Sequence, residues 1–289
     1  MRFTHDIADY PEGIVLAVDK PYRWTSADVI RKLKFAAIKH FQKKNLKVGH
    51  AGTLDPLATG VLLVCIGPAC KRAQELQDHD KEYIARIRFG ATTPSYDLEK
   101  DVDRTFPYEH ISRADVEAAL PAFLGDQEQV APLFSAKSVD GVRAYELARK
   151  LYRSGRMSEL DAAALETLQR NKIHISELEL LDFVPGDTLG PKGLGMTNDP
   201  SVIPSEASVS HTASSRIHVA DTSALGLPEA VIRIACSKGT YIRAFARDLG
   251  EALGSGAHLS GLIRSRSGSF RVEDALSVDQ ALALFQPGT

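Results

Sequence analysis

The sequence predicts an α+β protein, because strand patterns and helix patterns mix along the chain without a regular strand–helix–strand alternation. Residues 83–89 and 230–236 alternate apolar and polar side chains, as half-buried strands do. Apolar residues recur at helical spacing over about 26–40 and 240–253. The chain has 289 residues, of which 44% are hydrophobic and 25% charged, so it can bury a substantial core.

The first two predicted elements are a strand and a helix. The segment GIVLAVDKP reads as a buried strand that ends near Lys20. Thr25 or Ser26 can then cap a helix that runs to about His40. The predicted core face of this helix consists of Val29, Leu33 and Ala37.

The most informative segment is HAGTLDPLATGVLLVCIGP, residues 50–68. It places one carboxylate, Asp55, between a glycine-bearing loop and a long apolar run. Gly52 permits a close backbone approach, and Asp55-Pro56 marks a turn or the start of a helix. A carboxylate at the edge of apolar structure can act as a nucleophile or a base. Asp followed by Pro is also a good helix N-cap, so both interpretations stay open on these residues alone.

Further elements follow in order. The segment YIARIRF predicts a strand with its apolar residues on one side. Ser112 is expected to cap the helix RADVEAALPAFLG, and Pro121 to kink or shorten it. The strand AVIRIAC turns through SKG into the helix TYIRAFARDLGEAL. The predicted core face of that helix consists of Ile242, Phe245 and Leu249.

Residues 186–216 have a different composition. Sixteen of these thirty-one residues are Gly, Pro, Ser or Thr, and apolar periodicity is absent. We expect a flexible insertion that extends to about residue 228.

Composition argues against several classes of protein. No apolar run reaches membrane-spanning length and the N-terminus lacks a hydrophobic signal core, so a cytoplasmic location without a membrane is expected. Cys65, Cys70 and Cys236 form neither an even framework nor a CxxC pair, which predicts reduced thiols and no metal site. No phosphate-binding or dinucleotide loop is present, which fits a protein without a cofactor.

The net charge of −2 gives no sign of an RNA partner, but the basic residues are segregated. Residues 31–48 contain seven Lys or Arg and no acid. Residues 230–247 add Arg233, Lys238, Arg243 and Arg247. Each stretch alone is compatible with a solvated face; together, on either side of the Asp55 segment, they favour RNA.

The segment HAGTLDPLATGVL resembles the active-site segment of the TruB-type tRNA pseudouridine synthases. Four other segments resemble later or earlier blocks of that family in the family's order: GIVLAVDKP, DKEYIARIRFGATT, LFSAKSVDGVRAYELAR and CSKGTYIRAFARDLGEALGSGAHLSGLIR. The resemblance covers most of 13–185 and 229–280. It implies the pseudouridine synthase fold, a mixed and mostly antiparallel sheet with flanking helices and an RNA-binding cleft.

The resemblance also implies an activity. Such an enzyme isomerises a uridine in the T-loop of tRNA, at tRNA position 55, to pseudouridine. The N-glycosidic bond breaks, the uracil rotates, and a C–C bond forms to the same ribose carbon, so no cofactor is needed. The base must first be flipped out of its stack. The expected partner is the T-arm of tRNA, no protein partner is implied, and the enzyme is expected to be a monomer.

The resemblance assigns catalytic roles to three residues. Asp55 matches the essential aspartate, which acts as a nucleophile on the ribose or base, or removes a sugar proton. Arg243 matches the arginine that pairs with this aspartate, although a helix arginine is by default a surface residue. Tyr83 matches the tyrosine that stacks on the flipped uracil, although a tyrosine at this point of a strand is often simple core.

Four further residues are assigned to substrate binding. Tyr241 matches a tyrosine that closes the pocket, and Leu262 a leucine that lines it. His50 matches a histidine that helps to hold the flipped loop. Lys20 is expected to support the Asp55 loop or a phosphate, and a strand-end lysine with an exposed head is the plain alternative.

The chain departs from the family in several places. Arg23 stands where the family usually has glycine, so the loop takes another backbone path or Arg23 contacts RNA. Pro94 replaces a common aspartate, whereas Asp97 keeps the second acid. The thumb-like segment, about 125–172, carries a longer helical stretch than usual. The chain ends soon after DALSVDQALALF, which predicts one catalytic domain over 1–289 without the RNA-binding PUA domain.

Three alternatives remain from the sequence. The first is a catalytically inactive tRNA-binding protein or folding chaperone on the same scaffold. The second is an aspartate-dependent nucleoside hydrolase acting on small substrates. The third is modification of another RNA with the help of a guide RNA.

Overall fold

The computed structural model describes residues 3–132, 138–139, 142–143, 170–186 and 217–286. It confirms an α+β fold built on one mixed sheet of nine strands. Among the described helices, none combines the length and the apolarity needed to cross a membrane. All three cysteines are free thiols.

The strands follow one another along most of the chain. Their bounds are β1 Ile14–Lys20, β2 Val48–Ala51, β3 Ala58–Ile66, β4 Lys81–Phe89, β5 Ala91–Thr92, β6 Arg104–Thr105, β7 Gly125–Val130, β8 Ser138–Val139, β9 Val142–Arg143, β10 Arg170–Val184, β11 Glu229–Cys236, β12 Ala257–Ser267 and β13 Phe270–Arg271. The hydrogen-bonded order of the main sheet is β1–β3–β12–β4–β11–β10–β7, with β2 also on β3 and β13 on β12. The β3–β12 pairing is parallel, whereas β1–β3, β2–β3, β7–β10, β10–β11 and β12–β13 are antiparallel.

The described helices are short, apart from the first. Their bounds are α1 Ser26–Phe41, α2 Ala73–Asp78, α3 Arg113–Ala119, α4 Ile242–Ala252 and α5 Val278–Ala283. Thr25 caps α1 through a reciprocal capping box with Asp28, and Ser112 caps α3 in the same way with Asp115. As predicted, Pro121 shortens the α3 region, which continues as a 3₁₀ turn over Leu120–Phe123.

The chain divides into two compact units by contacts. Unit 1 comprises 1–84, 193–217 and 261–289, and unit 2 comprises 85–192 and 218–260. Unit 1 has its core around β1 and β3, with α1 turning its predicted apolar face inward; Val29, Leu33 and Ala37 are fully buried. Unit 2 has its core around β11 and α4, where the predicted residues Ile242, Phe245 and Leu249 are buried.

The apolar run after Pro56 is a strand and not a helix, so Asp55 does not cap a helix. β3 is buried at eight of its nine positions, because β1 and β12 flank it on either side. Gly60 allows the parallel partner to come close: its φ is +97°, and a Cβ there would lie 2.3 Å from a backbone oxygen of β12. The run is therefore a central strand that starts three residues after Asp55.

Arg23 keeps the conformation that glycine would favour. Its φ is +60°, in the left-handed region that glycine adopts more readily than other residues. The guanidinium donates to the carbonyl of Ile217 at 2.8 Å.

Two predictions fall outside the described residues. The Gly/Ser/Pro-rich insertion corresponds mostly to 187–216, and the helical extension of the thumb-like segment lies within 144–169. Of the thumb-like segment, the structure describes β7, β8, β9 and the start of β10, which pairs with β7. The last part of the predicted insertion, 217–228, is also described: it contains a 3₁₀ turn over Ser223–Leu225 and buries Ala220, Thr222 and Leu227.

Candidate active site

Asp55 lies in a turn between β2 and β3, within unit 1. Its carbonyl accepts a hydrogen bond from the amide of Ala58 at 3.1 Å, which closes the turn onto the first residue of β3. The Asp55 side chain is half-buried, whereas Leu54 and Leu57 on either side are buried. Asp55 therefore keeps partial exposure in a turn whose neighbouring residues are anchored in the core. We call residues 52–57 the Asp55 loop.

The first support of the Asp55 loop comes from the start of α1. The Ser26 hydroxyl donates to the carbonyl of Leu54 at 3.0 Å and accepts from the amide of Leu54 at 2.9 Å. Ser26 is buried, so water competes little for these bonds. The residue directly before Asp55 is thus fixed at both its backbone polar groups.

Lys20, at the end of β1, provides the second support. It is completely buried, and its ammonium donates to the carbonyls of Pro21 at 3.0 Å, Trp24 at 2.6 Å and Pro56 at 3.2 Å. These three bonds use all the donors of the ammonium. Burial lowers the pKa of Lys20 to about 7, against the attraction of Asp55, which acts in the opposite direction. This geometry favours a loop-supporting role for Lys20 over a direct contact with phosphate.

Arg264, on β12, provides the third support. It is 1% exposed, and its guanidinium donates to the carbonyl of Val61 at 2.7 Å and to that of Gly52 at 3.2 Å. Burial lowers the pKa of His50, and the nearby positive charge of Arg264 lowers it further. The imidazole is half-buried.

Tyr83 and Leu262 occupy the strands of unit 1. Tyr83 lies on β4 and is 9% exposed. Leu262 lies on β12 in register with Ala58, the residue that the Asp55 turn closes onto. The parallel pairing of β12 with β3 therefore brings Leu262 next to the end of the Asp55 loop. Asp55, His50, Lys20, Leu262 and Tyr83 all belong to this unit.

Arg243 lies in unit 2, in the first turn of α4, and is buried. Its guanidinium donates to the carbonyl of Ser95 at 3.2 Å, and its Nε lies 3.7 Å from Oδ2 of Asp97. Tyr96, between these two, has φ +57°, in the left-handed region that is uncommon for residues other than glycine. The alternative of a surface arginine is thus wrong, because the fold buries Arg243 and holds its guanidinium through Ser95 and Asp97.

Tyr241 precedes α4 and is held through its main chain. Its amide donates to Oε1 of Gln129 at 2.8 Å, and its carbonyl accepts from Nε2 of Gln129 at 3.1 Å. Gln129 is a buried residue of β7. This bidentate contact fixes the backbone of Tyr241 and, with it, the start of the helix that carries Arg243.

Sequence reasoning missed Ser26, Arg264 and Gln129 as parts of this machinery. The sequence pattern indicates Ser26 only as a possible helix cap. Arg264 occurs in the family-like segment that contains Leu262, but no pattern assigns it a role. Nothing local distinguishes them from surface residues, because their partners are backbone groups distant in sequence. Among the described residues, no cluster of three His, Cys, Asp or Glu side chains is arranged to hold a metal.

The two basic stretches differ in the structure. The first stretch covers most of α1 and the following loop, and all seven of its Lys and Arg residues are exposed. Two of them also make contacts: Arg31 forms an ion pair with Asp28, and the ammonium of Lys32 lies 4.8 Å from the centre of the Trp24 ring. Phe35, among them, is 74% exposed. This face is positively charged and carries one aromatic side chain.

The second stretch is not a solvent-facing patch. Arg233 binds Glu177 and Glu179, Arg243 is buried, and Arg247 binds the carboxylate of its neighbour Asp248. Of its four cations, only Lys238 is exposed. Hence the charge pattern of this stretch reflects internal contacts.

Comparison with known proteins gives consistent matches. The profile of the TruB family of pseudouridylate synthases, N-terminal domain, matches residues 39–186. A tRNA pseudouridine synthase B from Phocaeicola vulgatus is 47% identical over 271 residues, which cover 94% of this chain and 92% of the relative. The tRNA pseudouridine synthase B of Thermus thermophilus is 41% identical over 263 residues, which cover 91% of this chain and 75% of the relative.

Solved structures give the same architecture at low identity. A Cbf5-Nop10-Gar1 complex contains a chain that matches with a TM-score of 0.56 and 22% identity, over 94% of this chain and 56% of that chain. An H/ACA RNP bound to a substrate RNA matches with a TM-score of 0.54 and 20% identity, over 94% and 53%. At these identities the matches show a shared fold only.

Proposed function

The chain belongs to the TruB family of pseudouridylate synthases, and on that premise we propose that it converts a uridine of tRNA into pseudouridine. Its fold is the pseudouridine synthase fold, as predicted from the sequence. The observation that carries the proposal is the Asp55 loop, which presents one accessible carboxylate from a turn fixed by buried contacts at Leu54 and Pro56. Pre-organisation of this kind lowers the cost of reaching the reactive geometry.

The substrate uridine is, in this proposal, the one in the T-loop. The reaction exchanges an N-glycosidic bond for a C–C bond at the same ribose carbon, so atoms and electrons balance within one nucleotide. A base stacked in a loop must leave its stack to expose both bonds. In this proposal the enzyme acts as a monomer in the cytoplasm, and its partner is the T-arm of tRNA.

Asp55 supplies the reactive carboxylate. Three routes use it: attack on the ribose, attack on the base, or removal of a sugar proton. Each requires a side chain that the substrate can reach, and Asp55 is only half-buried. Each also requires a precise direction of approach, which the bonds from Ser26 and Lys20 to the loop favour.

The remaining residues bind and orient the nucleotide. Arg243 has the role that the family resemblance assigns to it, as the partner of the reactive aspartate, and its contacts to Ser95 and Asp97 support a fixed guanidinium. Tyr83 stacks on the uracil. Three other side chains complete the substrate site: Tyr241, Leu262 and His50.

The exposed basic face of α1 holds the phosphate backbone of tRNA. When lysines neutralise phosphates, the counterions that had condensed on the RNA are released, and the affinity therefore depends on the salt concentration. The exposed ring of Phe35 adds a surface on which a base can stack.

The proposal is tested with an unmodified tRNA transcript. Wild type and Asp55→Asn are incubated with the transcript, and pseudouridine is mapped by chemical probing. We expect conversion at one T-loop uridine with wild type and none with the variant, at similar tRNA affinity. Asn keeps the shape of Asp and removes its charge, so the pair isolates the carboxylate.

Other outcomes lead to other functions. Binding of tRNA by wild type without conversion would indicate the chaperone. Release of free uracil would indicate a hydrolase, and conversion at another uridine would refute the T-loop assignment. Loss of tRNA binding in Asp55→Asn would mean that Asp55 acts mainly on the structure of its loop.

A further inference from the structure

The starting observation is a buried charge that the mechanism above does not use. Arg264 is 1% exposed, although arginine is rarely buried without an ion pair. Within the described part of the chain, no carboxylate forms an ion pair with its guanidinium; its hydrogen bonds go to two backbone carbonyls. Burying a charged group costs free energy, and hydrogen bonds to two neutral carbonyls do not neutralise its charge. Stability alone therefore gives a weak account of Arg264.

The two carbonyls occupy informative positions. Gly52 is the first residue of the Asp55 loop, and Val61 lies on β3 just beyond its end. One planar guanidinium thus bridges both sides of the segment that carries Asp55. An arginine suits this task because its donors have fixed directions, whereas a lysine ammonium presents a single point charge.

The local backbone is shaped for this contact. Gly52 has φ +90°, and a Cβ at this position would lie 3.5 Å from Nη1 of Arg264. On the other side, the residue after Gly60 offers its carbonyl because Gly60 lets β3 and β12 come close. Arg264 and its two acceptors all lie in unit 1.

We propose that Arg264 is a positioning residue for the reaction: it sets the direction of the Asp55 carboxylate by fixing the two sides of the Asp55 loop. The inference rests on the proposed function, in which Asp55 is the reacting group. Arg264 touches neither Asp55 nor substrate in this role. Its effect passes through the main chain, together with Ser26 at Leu54 and Lys20 at Pro56.

This role predicts a specific kinetic signature. A loop that is folded but displaced still leaves the tRNA-binding surface intact. The conversion step, in contrast, depends on the direction of one carboxylate, and a displacement of about 1 Å can reduce a rate by roughly 100-fold. A residue that contributed only to folding would lower the melting temperature and leave the rate of the folded enzyme unchanged.

The experiment uses Arg264→Lys and Arg264→Gln in the full chain with an unmodified tRNA transcript. Three quantities are measured: the single-turnover rate of pseudouridine formation with enzyme in saturating excess, the Kd for tRNA, and the melting temperature. We expect both variants to convert about 10- to 100-fold more slowly, with a Kd within about twofold of wild type. Wild type and Asp55→Asn are run alongside.

His40→Gln is the matched control. His40 is also buried, and its two ring nitrogens each lie 2.9 Å from a backbone carbonyl, those of Phe285 and Thr4. It lies near the other end of α1 from Ser26, about 20 Å away along the helix axis. This substitution should lower the melting temperature as much as Arg264→Lys does, and leave the single-turnover rate unchanged.

Several results would overturn the inference. One is a wild-type conversion rate in a folded Arg264→Lys enzyme, and another is a weakened Kd with an unchanged rate. If the Arg264 variants do not fold, Ser26→Ala tests the same device at Leu54, and an unchanged rate there refutes it. Absence of pseudouridine with wild type would instead refute the proposed function, and activity of Asp55→Asn would refute the role of Asp55.

Discussion

Lys20 offers a test in which pH is the perturbation. Its ammonium is completely buried between three carbonyls, and burial lowers its pKa from 10.5 to about 7. Between these two values the unfolded chain holds a proton on this side chain that the folded chain has lost. Folding stability therefore rises with pH in this window. The stabilisation is complete above pH 10.5 and is lost as the pH falls through about 7.

The size of the effect follows from the shift. A pKa change of this size corresponds to about 5 kcal/mol over the whole window, at ~1.4 kcal/mol per pH unit. Between pH 7 and 9, where most proteins remain well behaved, linkage gives a gain of about 2 kcal/mol. For a domain of this size, a gain of that order is readily measured by denaturant unfolding.

The assay compares wild type with Lys20→Met, which fills a similar volume without a titrating group. Urea unfolding at pH 7, 8 and 9 gives the free energy of unfolding of each protein. The Cys65 thiol, whose pKa burial raises to about 11, is present in both and cancels in the difference. We expect the wild-type value to rise by about 2 kcal/mol relative to the variant across this range.

The same titration should affect catalysis in the opposite sense. Above pH 7 the amine keeps two donors for three carbonyls and no longer attracts Asp55. The single-turnover rate of wild type should therefore fall with an apparent pKa near 7 while the fold becomes more stable. Equal pH slopes of unfolding in wild type and Lys20→Met would refute the reasoning.

Three further predictions concern other parts of the molecule. Charge reversal at Lys43 and Lys44 should weaken tRNA binding and reduce the slope of log Kd against log salt concentration by about 2. An unchanged slope would mean that these lysines do not contact phosphates. Asp97→Asn should slow conversion without weakening tRNA binding, because Arg243 loses its charged neighbour; a wild-type rate would argue against that orientation. Gly60→Ala should lower the melting temperature strongly, since its Cβ would meet the backbone of β12 at 2.3 Å, and a wild-type value would contradict this close approach.

Most regular elements could be predicted because their signals are local. The cap at Thr25, the apolar spacing of α1 and the alternation in β4 each depend on side chains within one or two turns or strand pairs. Ser112 and Pro121 likewise fixed the start and the shortening of α3. Such patterns carry the same meaning in any tertiary context.

The Asp55 segment could not be decided in this way. Asp-Pro suits both a turn and a helix start, and an apolar run of nine residues fits a buried strand as well as a buried helix segment. Tertiary contacts settled the matter, because β3 pairs with β1 and with β12 on its two sides. The pattern lacked alternation for the same reason, since a central strand is buried on both faces.

The supporting residues were beyond the reach of sequence patterns. Arg264 and Ser26 have acceptors more than twenty residues away, and those acceptors are main-chain groups that leave no mark in the sequence. Conversely, the basic residues of 230–247 suggested a surface for RNA, whereas Arg233 and Arg247 are engaged with carboxylates of their own chain. Charge counting does not reveal which cations have internal partners.

The anchoring of the Asp55 loop has a consequence for how this segment tolerates change. Every support from Ser26, Lys20 and Arg264 ends on a backbone group of the loop or its border, and none on a side chain. The backbone of the loop is therefore held by the surrounding elements, together with the buried side chains of Leu54 and Leu57. We therefore expect an exposed residue such as Thr53 to tolerate substitution. In evolutionary terms, this enzyme can retune how the turn meets its RNA without disturbing where the carboxylate points.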